Sequence, residues 1–201
     1  MRVAGEAHQH VGRPGPKLRA DARRNVERLV AAARAALDEV GLGVTTRDVA
    51  RRAGVGLGTV YRRVPSLDAL LAAILVDTVD AMTQRAVQAR GADDAWAGFA
   101  AFAEDFVQLR ASSCGLHAAL GAEAGPQLEP RLSRLRDAVR DLVEHAQAAG
   151  AIRADLDWTD VPFVLATAVP TDRTLGMPAR PDQWRRNLAV VLDGLRAHRP
   201  G

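Results

Sequence analysis

The residue types best suited to chemistry sit in one stretch, Thr45-Thr46-Arg47-Asp48 through Pro65-Ser66. Near its end, Thr59, Tyr61, Arg62 and Arg63 place hydroxyls and guanidinium groups within five residues. Such groups suit phosphate oxygens, and arginine can also read guanine N7 and O6 in a major groove. Gly58, lacking a side chain, lets the backbone beside it approach another surface closely. Other reactive types are scattered. Cys114 and His117 lie one helical turn apart, the spacing a small helical enzyme would need. No third group nearby orients them, so a buried thiol and a core or pocket imidazole are the expected reading. Cys114 is the chain's one cysteine, which excludes an internal disulfide and a thiolate zinc site. Gly54-Val55-Gly56-Leu57-Gly58 has the look of a dinucleotide loop, but the third required glycine would fall at Thr59 and no strand precedes it. His8 and His10 read as part of a tail. Asp93, Asp94, Asp155 and Asp157 read as helix-start acids, favoured there by the helix dipole. The expectation is a protein without catalytic residues, metal or cofactor.

The elements that must position the stretch follow from periodicity. Val26, Leu29, Val30, Ala33, Leu37 and Val40 recur at three and four, predicting a helix over Ala20–Val40 that Gly41 and Gly43 stop. Thr45 with Asp48 forms a capping box for a short helix over Thr46–Ala53, and Gly54 suits its left-handed end. A second short helix fits Leu57–Val64. Pro65 breaks it, and Ser66 caps the next helix. Two short helices joined by a three-residue turn containing glycine form a helix-turn-helix. Val49, Ala50, Ala53, Val55 and Val60 are its expected core. Arg51 and Arg52 read equally as contacts or as a solvated face.

Beyond Ser66 the spacing predicts a long helix from Leu67 to about Arg90. Another, from Asp93 or Asp94, carries Trp96, Phe99, Phe102, Ala103, Phe106 and Leu109. A short helix over Cys114–Leu120 is expected next. Leu128, Leu132, Leu135, Val139, Leu142 and Ala146 mark a further helix that Gly150 ends. Thr159 to about Val169 and Asp182 to about Arg196 complete the set, with Pro170–Pro181 as a loop. No alternating strand pattern occurs. The fold class expected is all-α with about nine helices.

Composition agrees: 201 residues, 48% hydrophobic and 25% charged, are a globular balance with a sizeable core. No run approaches the roughly 20 apolar residues of a membrane span. The start has no apolar signal segment, so a cytoplasmic location is expected. The overall charge of +3 conceals an asymmetry. Residues 1–66 hold 13 basic and 6 acidic residues, a net of +7, and the remainder carries −4. Only the first third therefore suits a polyanion, and nucleic acid is the leading candidate. A membrane surface is disfavoured because the first helix lacks bulky apolar anchors.

The run Ala53-Gly54-Val55, then Gly58-Thr59-Val60-Tyr61, then Pro65-Ser66 ahead of Ala69-Leu70-Leu71, resembles the DNA-binding segment of the TetR/AcrR family of transcriptional regulators. The resemblance spans about Arg19 to Val76. Gly56, Leu57, Val64 and Leu67 depart from the pattern. The resemblance implies a basic arm at 1–18, a DNA-binding domain at 19–66 and a ligand-binding and dimerisation domain at 67–201. It implies DNA contacts by Thr45, Thr46, Gly58, Thr59, Tyr61, Arg62 and Arg63, with arm residues Arg13, Lys17 and Arg19 at a minor groove. A homodimer on an inverted-repeat operator, acting as a repressor released by a small apolar or aromatic effector, is the implied mechanism. The pocket would draw on Trp96, Phe99, Phe102, Phe106 and His117, with Asp105 and Gln108 as further polar candidates. The dimer seam would draw on Pro162, Phe163, Leu165, Trp184, Leu188, Val191 and Leu195. A small enzyme built on Cys114 and His117, and a helical adaptor that does not bind DNA, are the alternatives.

Overall fold

A computed structural model of the chain describes residues 16–112 and 128–197. Among them are eight α-helices, one 3-10 turn and one two-stranded hairpin. Helix α1 (Pro16–Val40) leads through the 3-10 turn Gly41–Gly43 to α2 (Thr46–Ala53), α3 (Leu57–Arg63) and the long α4 (Leu67–Arg90). Then come α5 (Ala95–Ser112), α6 (Glu129–Ala148), α7 (Asp160–Ala166), the hairpin and α8 (Gln183–Leu195). The expected helix at Cys114–Leu120, with Cys114 and His117, lies outside the described residues.

The helix ends reflect local chemistry. α1 begins at Pro16, four residues before the expected start, because proline's fixed φ suits a first helical position. Ser66 accepts the Ala69 N–H at 3.0 Å and caps α4. Asp94 accepts the N–H groups of Trp96 and Ala97 at 2.9 and 3.1 Å and starts α5. Asp157 accepts from the Thr159 N–H and hydroxyl ahead of α7, whereas Asp155 pairs with Arg153 rather than starting a helix. α7 ends at Ala166, short of the expected Val169.

The segment expected to be a loop contains the hairpin. β1 (Arg173–Thr174) pairs antiparallel with β2 (Met177–Pro178), Arg173 opposite Pro178 and Thr174 opposite Met177. Leu175 and Gly176 between them both have positive φ, 52° and 76°. That is the two-residue turn whose twist matches a hairpin. Two-residue strands are too short to leave an alternating sequence pattern.

Two apolar cores form. Leu29, Ala33, Leu37, Val49 and Val60 meet Leu70, Leu71 and Ile74 of α4. Val26 and Val40, expected on the buried face of α1, are exposed. The second core joins Met82 and Ala86 to Phe99, Phe102, Val107, Val139, Leu142, Val161, Leu165, Leu188 and Leu195. α4 thus runs from one core into the other. It is held to α6 by the Asp80–Arg131 pair and to α5 by Arg85–Asp105. At the far end, a backbone bridge between Ile152 and Arg196 ties α8 to the segment after α6.

Gly98 marks the closest helix approach. A Cβ there would stand 2.2 Å from the Ala89 carbonyl oxygen of α4. Gly98→Ala should therefore force α5 off α4 and lower stability by about 1–3 kcal/mol. Chemical denaturation reads this, and an unchanged midpoint would contradict the close crossing.

Candidate nucleic-acid interface and effector groove

The helix-turn-helix is built from complementary local contacts. The Thr45 hydroxyl accepts the Asp48 N–H at 3.3 Å, and the Asp48 carboxylate accepts the Thr45 N–H at 3.1 Å. The hydrogen bonds from Thr45, with Arg51 adding to them, hold the Asp48 carboxyl below its ordinary range. The cap is therefore complete at neutral pH and loosens as pH falls through that lowered value. Gly54 closes α2 in the left-handed region, φ 65°. The Val55 N–H returns to the Ala50 carbonyl at 3.1 Å, the Schellman arrangement. Gly56 caps α3 by backbone alone.

Val49, Ala50, Ala53 and Val60 are buried, so α2 and α3 each turn one face inward. Val64 and Leu67, both departures from the family pattern, pack against this core. The opposite face of α3 is open. Gly58 faces empty space where a Cβ would be, and Tyr61 is 68% exposed. Arg62 and Arg63 are exposed, Arg62 reaching only Thr59 Oγ1 at 3.5 Å. Leu57, Gly58, Tyr61 and Arg62 recur at one and four, so they share a stripe along α3. Thr46 and Thr59 are half-buried. Arg51 is engaged with Asp48, and Arg52 with Glu39 of α1, so both serve the domain's own architecture. Lys17 and Arg19 lie in the first turns of α1, and Arg13 lies outside the described residues.

The second feature is a groove of about 410 Å³ between α5, α6 and α7. Phe102 and Phe106, ring centroids 6.2 Å apart, line it from α5. Leu132, Leu135 and Val139 line it from α6, and Trp158, Pro162 and Phe163 close its third side. Phe106, Arg110 and Leu135 also border a small gap facing Thr78, Val79 and Met82 of α4. Of the expected pocket residues, Phe102 and Phe106 thus meet in the groove. Phe99 is sealed in the core, and Trp96 lies under the Arg196 guanidinium 4.4 Å away, so neither lines it. Asp105 is paired with Arg85 and Gln108 is exposed. Sequence reasoning missed Arg110, Arg136, Trp158 and Thr159 as groove residues. Trp158, a lone aromatic just before a helix start, was the one signal that could have pointed there.

The expected seam residues divide. Leu165, Leu188 and Leu195 are buried in the chain's own core, out of reach of another molecule. Pro162 and Phe163 border the groove, and Phe163 is 78% exposed. Trp184 and Val191 lie half-buried at the core's edge. The outward face of α8 instead carries Val190, 73% exposed, with Ala189 and Gly194. Among the described residues, no helix is long and apolar enough to cross a membrane.

Comparison with known proteins agrees with this architecture. The family described as bacterial regulatory proteins, tetR family, matches residues 29–74. The family described as transcriptional regulator SbtR-like, C-terminal domain, matches residues 73–197. Curated protein sequences contain no match. Among solved structures, a TetR transcription regulatory protein from Mycobacterium vanbaalenii is 31% identical, with TM-score 0.61, over 89% of this chain and 99% of that one. The TetR transcriptional regulator SCO0520 from Streptomyces coelicolor is 30% identical, with TM-score 0.61, over 85% of this chain and 98% of that one. The ketosteroid transcriptional regulator of Mycobacterium tuberculosis shares the fold at 20% identity and TM-score 0.60, over 98% of this chain and 100% of that one. The two family matches run on from one another over residues 29–197, and the regulators from Mycobacterium vanbaalenii and Streptomyces coelicolor match at 30% identity or more over nearly their whole length, so the chain belongs to the TetR family of DNA-binding transcriptional regulators.

Proposed function

We propose that the protein is a homodimeric, cytoplasmic repressor that a small effector releases from an inverted-repeat operator. The carrying observation is the open stripe of α3. Gly58, Tyr61, Arg62 and Arg63 face solvent on a helix whose other side is locked into the domain core. In this reading residues 19–66 contact DNA. Gly58 and Thr59 approach base edges, while Tyr61 and the N-terminal end of α2 at Thr45 and Thr46 meet phosphates. Arg62 and Arg63 contact phosphate or guanine. Arg13, Lys17 and Arg19 reach a neighbouring minor groove.

Residues 67–201 receive the effector and form the dimer. Large apolar side chains left in water support the seam, Phe163 on α7 and Val190 on α8 above all. Ala189 and Gly194 beside Val190 would let a partner helix approach closely. A two-fold dimer sets its recognition helices one DNA turn apart, hence the inverted repeat. Effector in the groove would press on Phe106, Arg110 and Leu135, the layer touching α4, and α4 continues into the first core. Effector and operator affinities then oppose each other by the same factor.

A gel shift with duplex DNA from upstream of the protein's own gene tests this. A specific complex is expected whose affinity falls steeply between low and physiological salt, as phosphate neutralisation requires. A flat salt titration, or equal retention of unrelated duplex, would sink the reading.

A further inference from the structure

The open stripe of α3 carries one large aliphatic side chain among its polar ones. Leu57 is 38% exposed and lies outside the buried residues of both apolar cores. Its neighbours leave it uncovered. Gly56 and Gly58 stand on either side, and a Cβ at either would meet nothing within 4 Å. Val55 turns inward and packs against the first core. Leu57 therefore presents an apolar surface on the face it shares with Gly58, Tyr61 and Arg62, with no side chain on either adjoining residue to shield it. The surrounding charge selects what can approach. Helix α3 contains no acidic residue and ends in Arg62 and Arg63. Residues 1–66 as a whole carry a net charge of +7. A polyanion suits that face.

On the reading that α3 lies in a major groove, on which this inference rests, Leu57 meets base edges with no hydrogen bond to offer. Against a phosphate, or against the N7, O6, O4 or amino group of a base, an aliphatic side chain displaces water without replacing its hydrogen bonds. The one apolar group that unmodified base pairs present in the major groove is the C5 methyl of thymine. We infer that Leu57 is a specificity-determining residue that packs on a thymine methyl, so that each half-site of the operator carries a thymine fixed by apolar contact. Arg62, on the same stripe, then supplies the contact of opposite kind, charged and hydrogen-bonding, to phosphate or guanine.

The full-length protein is first used to select its operator from a random duplex pool, and each thymine of the selected site is then exchanged in turn for deoxyuridine. That exchange removes the C5 methyl and keeps every hydrogen-bonding group. At one thymine of each half-site, wild-type affinity should fall about three- to fivefold, the worth of one buried methyl. The same exchange should leave Leu57→Ala unmoved, because the side chain that feels the methyl is gone. Leu57→Met, which keeps an apolar tip, should retain the loss. A site at which no thymine responds, or a response of equal size in Leu57→Ala, would overturn the inference and leave DNA binding standing. Wild-type affinity of Leu57→Ala for the unmodified operator would also overturn it, and would assign the side chain to a partner other than DNA. Selection of no duplex at all overturns the operator reading together with the inference, so the two failures are told apart. If Leu57→Ala fails to fold by circular dichroism, Leu57→Gln takes its place. Its polar tip should abolish most of the methyl dependence, and a response that persists there would overturn the assignment.

Discussion

Arg62→Ala or Arg63→Ala should weaken operator binding by about 1–3 kcal/mol if the lost guanidinium reads a guanine. Both side chains are exposed, Arg62 on the open stripe of α3 and Arg63 at its C-terminal end, and neither is needed to hold the helix, whose anchor is the buried Val60. Truncation therefore removes a contact without disturbing the fold. Fluorescence anisotropy against the operator and against base-substituted versions distinguishes two outcomes. A base-reading arginine loses discrimination at one position when replaced. A phosphate-binding arginine weakens all sequences alike and lowers the salt slope by about one. Undiminished affinity in both variants would remove these residues from the interface. Arg51 and Arg52 offer an internal contrast. Each is tied to an acid within the chain, so their replacement acts first on the helix-turn-helix itself.

Phe99→Ala should cost about 3–5 kcal/mol of stability, the usual loss for deleting a fully buried phenyl ring. Phe99 is 0% exposed and belongs to the core joining α4, α5 and α6 to the last helices. Trp96 lies beside it, ring centroids 6.3 Å apart, but is only half-buried and cannot fill the space from the surface. Urea unfolding of the full chain measures the loss. A cost below about 1 kcal/mol would mean that the core collapses around the gap, contrary to the dense interior expected of packed helices. Tyr61→Ala provides the reference for a solvent-facing aromatic, with a stability change within about 0.5 kcal/mol.

Much of the first domain was legible in the residues because its determinants are local. Thr45 and Asp48 cap each other, Gly54 takes the left-handed conformation, and Ser66 and Asp94 start helices through bonds spanning two or three residues. The stripe Leu57-Gly58-Tyr61-Arg62 follows from helical period once the buried Val60 is assigned. The long reach of α4, Leu67 to Arg90, was equally readable from its spacing and its flanking Ser66 and Gly91. The hairpin at Arg173–Pro178 was not, because two-residue strands carry no period and the turn rests on the unusual positive φ of Leu175.

The chain's local order thus determined its helices, their caps and the polarity of the open face of α3. Contacts between residues distant in sequence decided the rest. Apolar positions on α5 look alike from the sequence, yet Phe99 is sealed in the core, Trp96 lies under Arg196, and Phe102 with Phe106 faces the groove. Leu165, Leu188 and Leu195 turn inward while Phe163 and Val190 turn outward. Hydrophobic attraction has no direction of its own, so a periodic stripe tells a helix to bury one side but not against which neighbour. The choice of neighbour is made when α5, α6 and α7 converge, and that convergence sets Arg110 and Arg136 beside Phe106 and Trp158 across a gap no spacing rule could reveal.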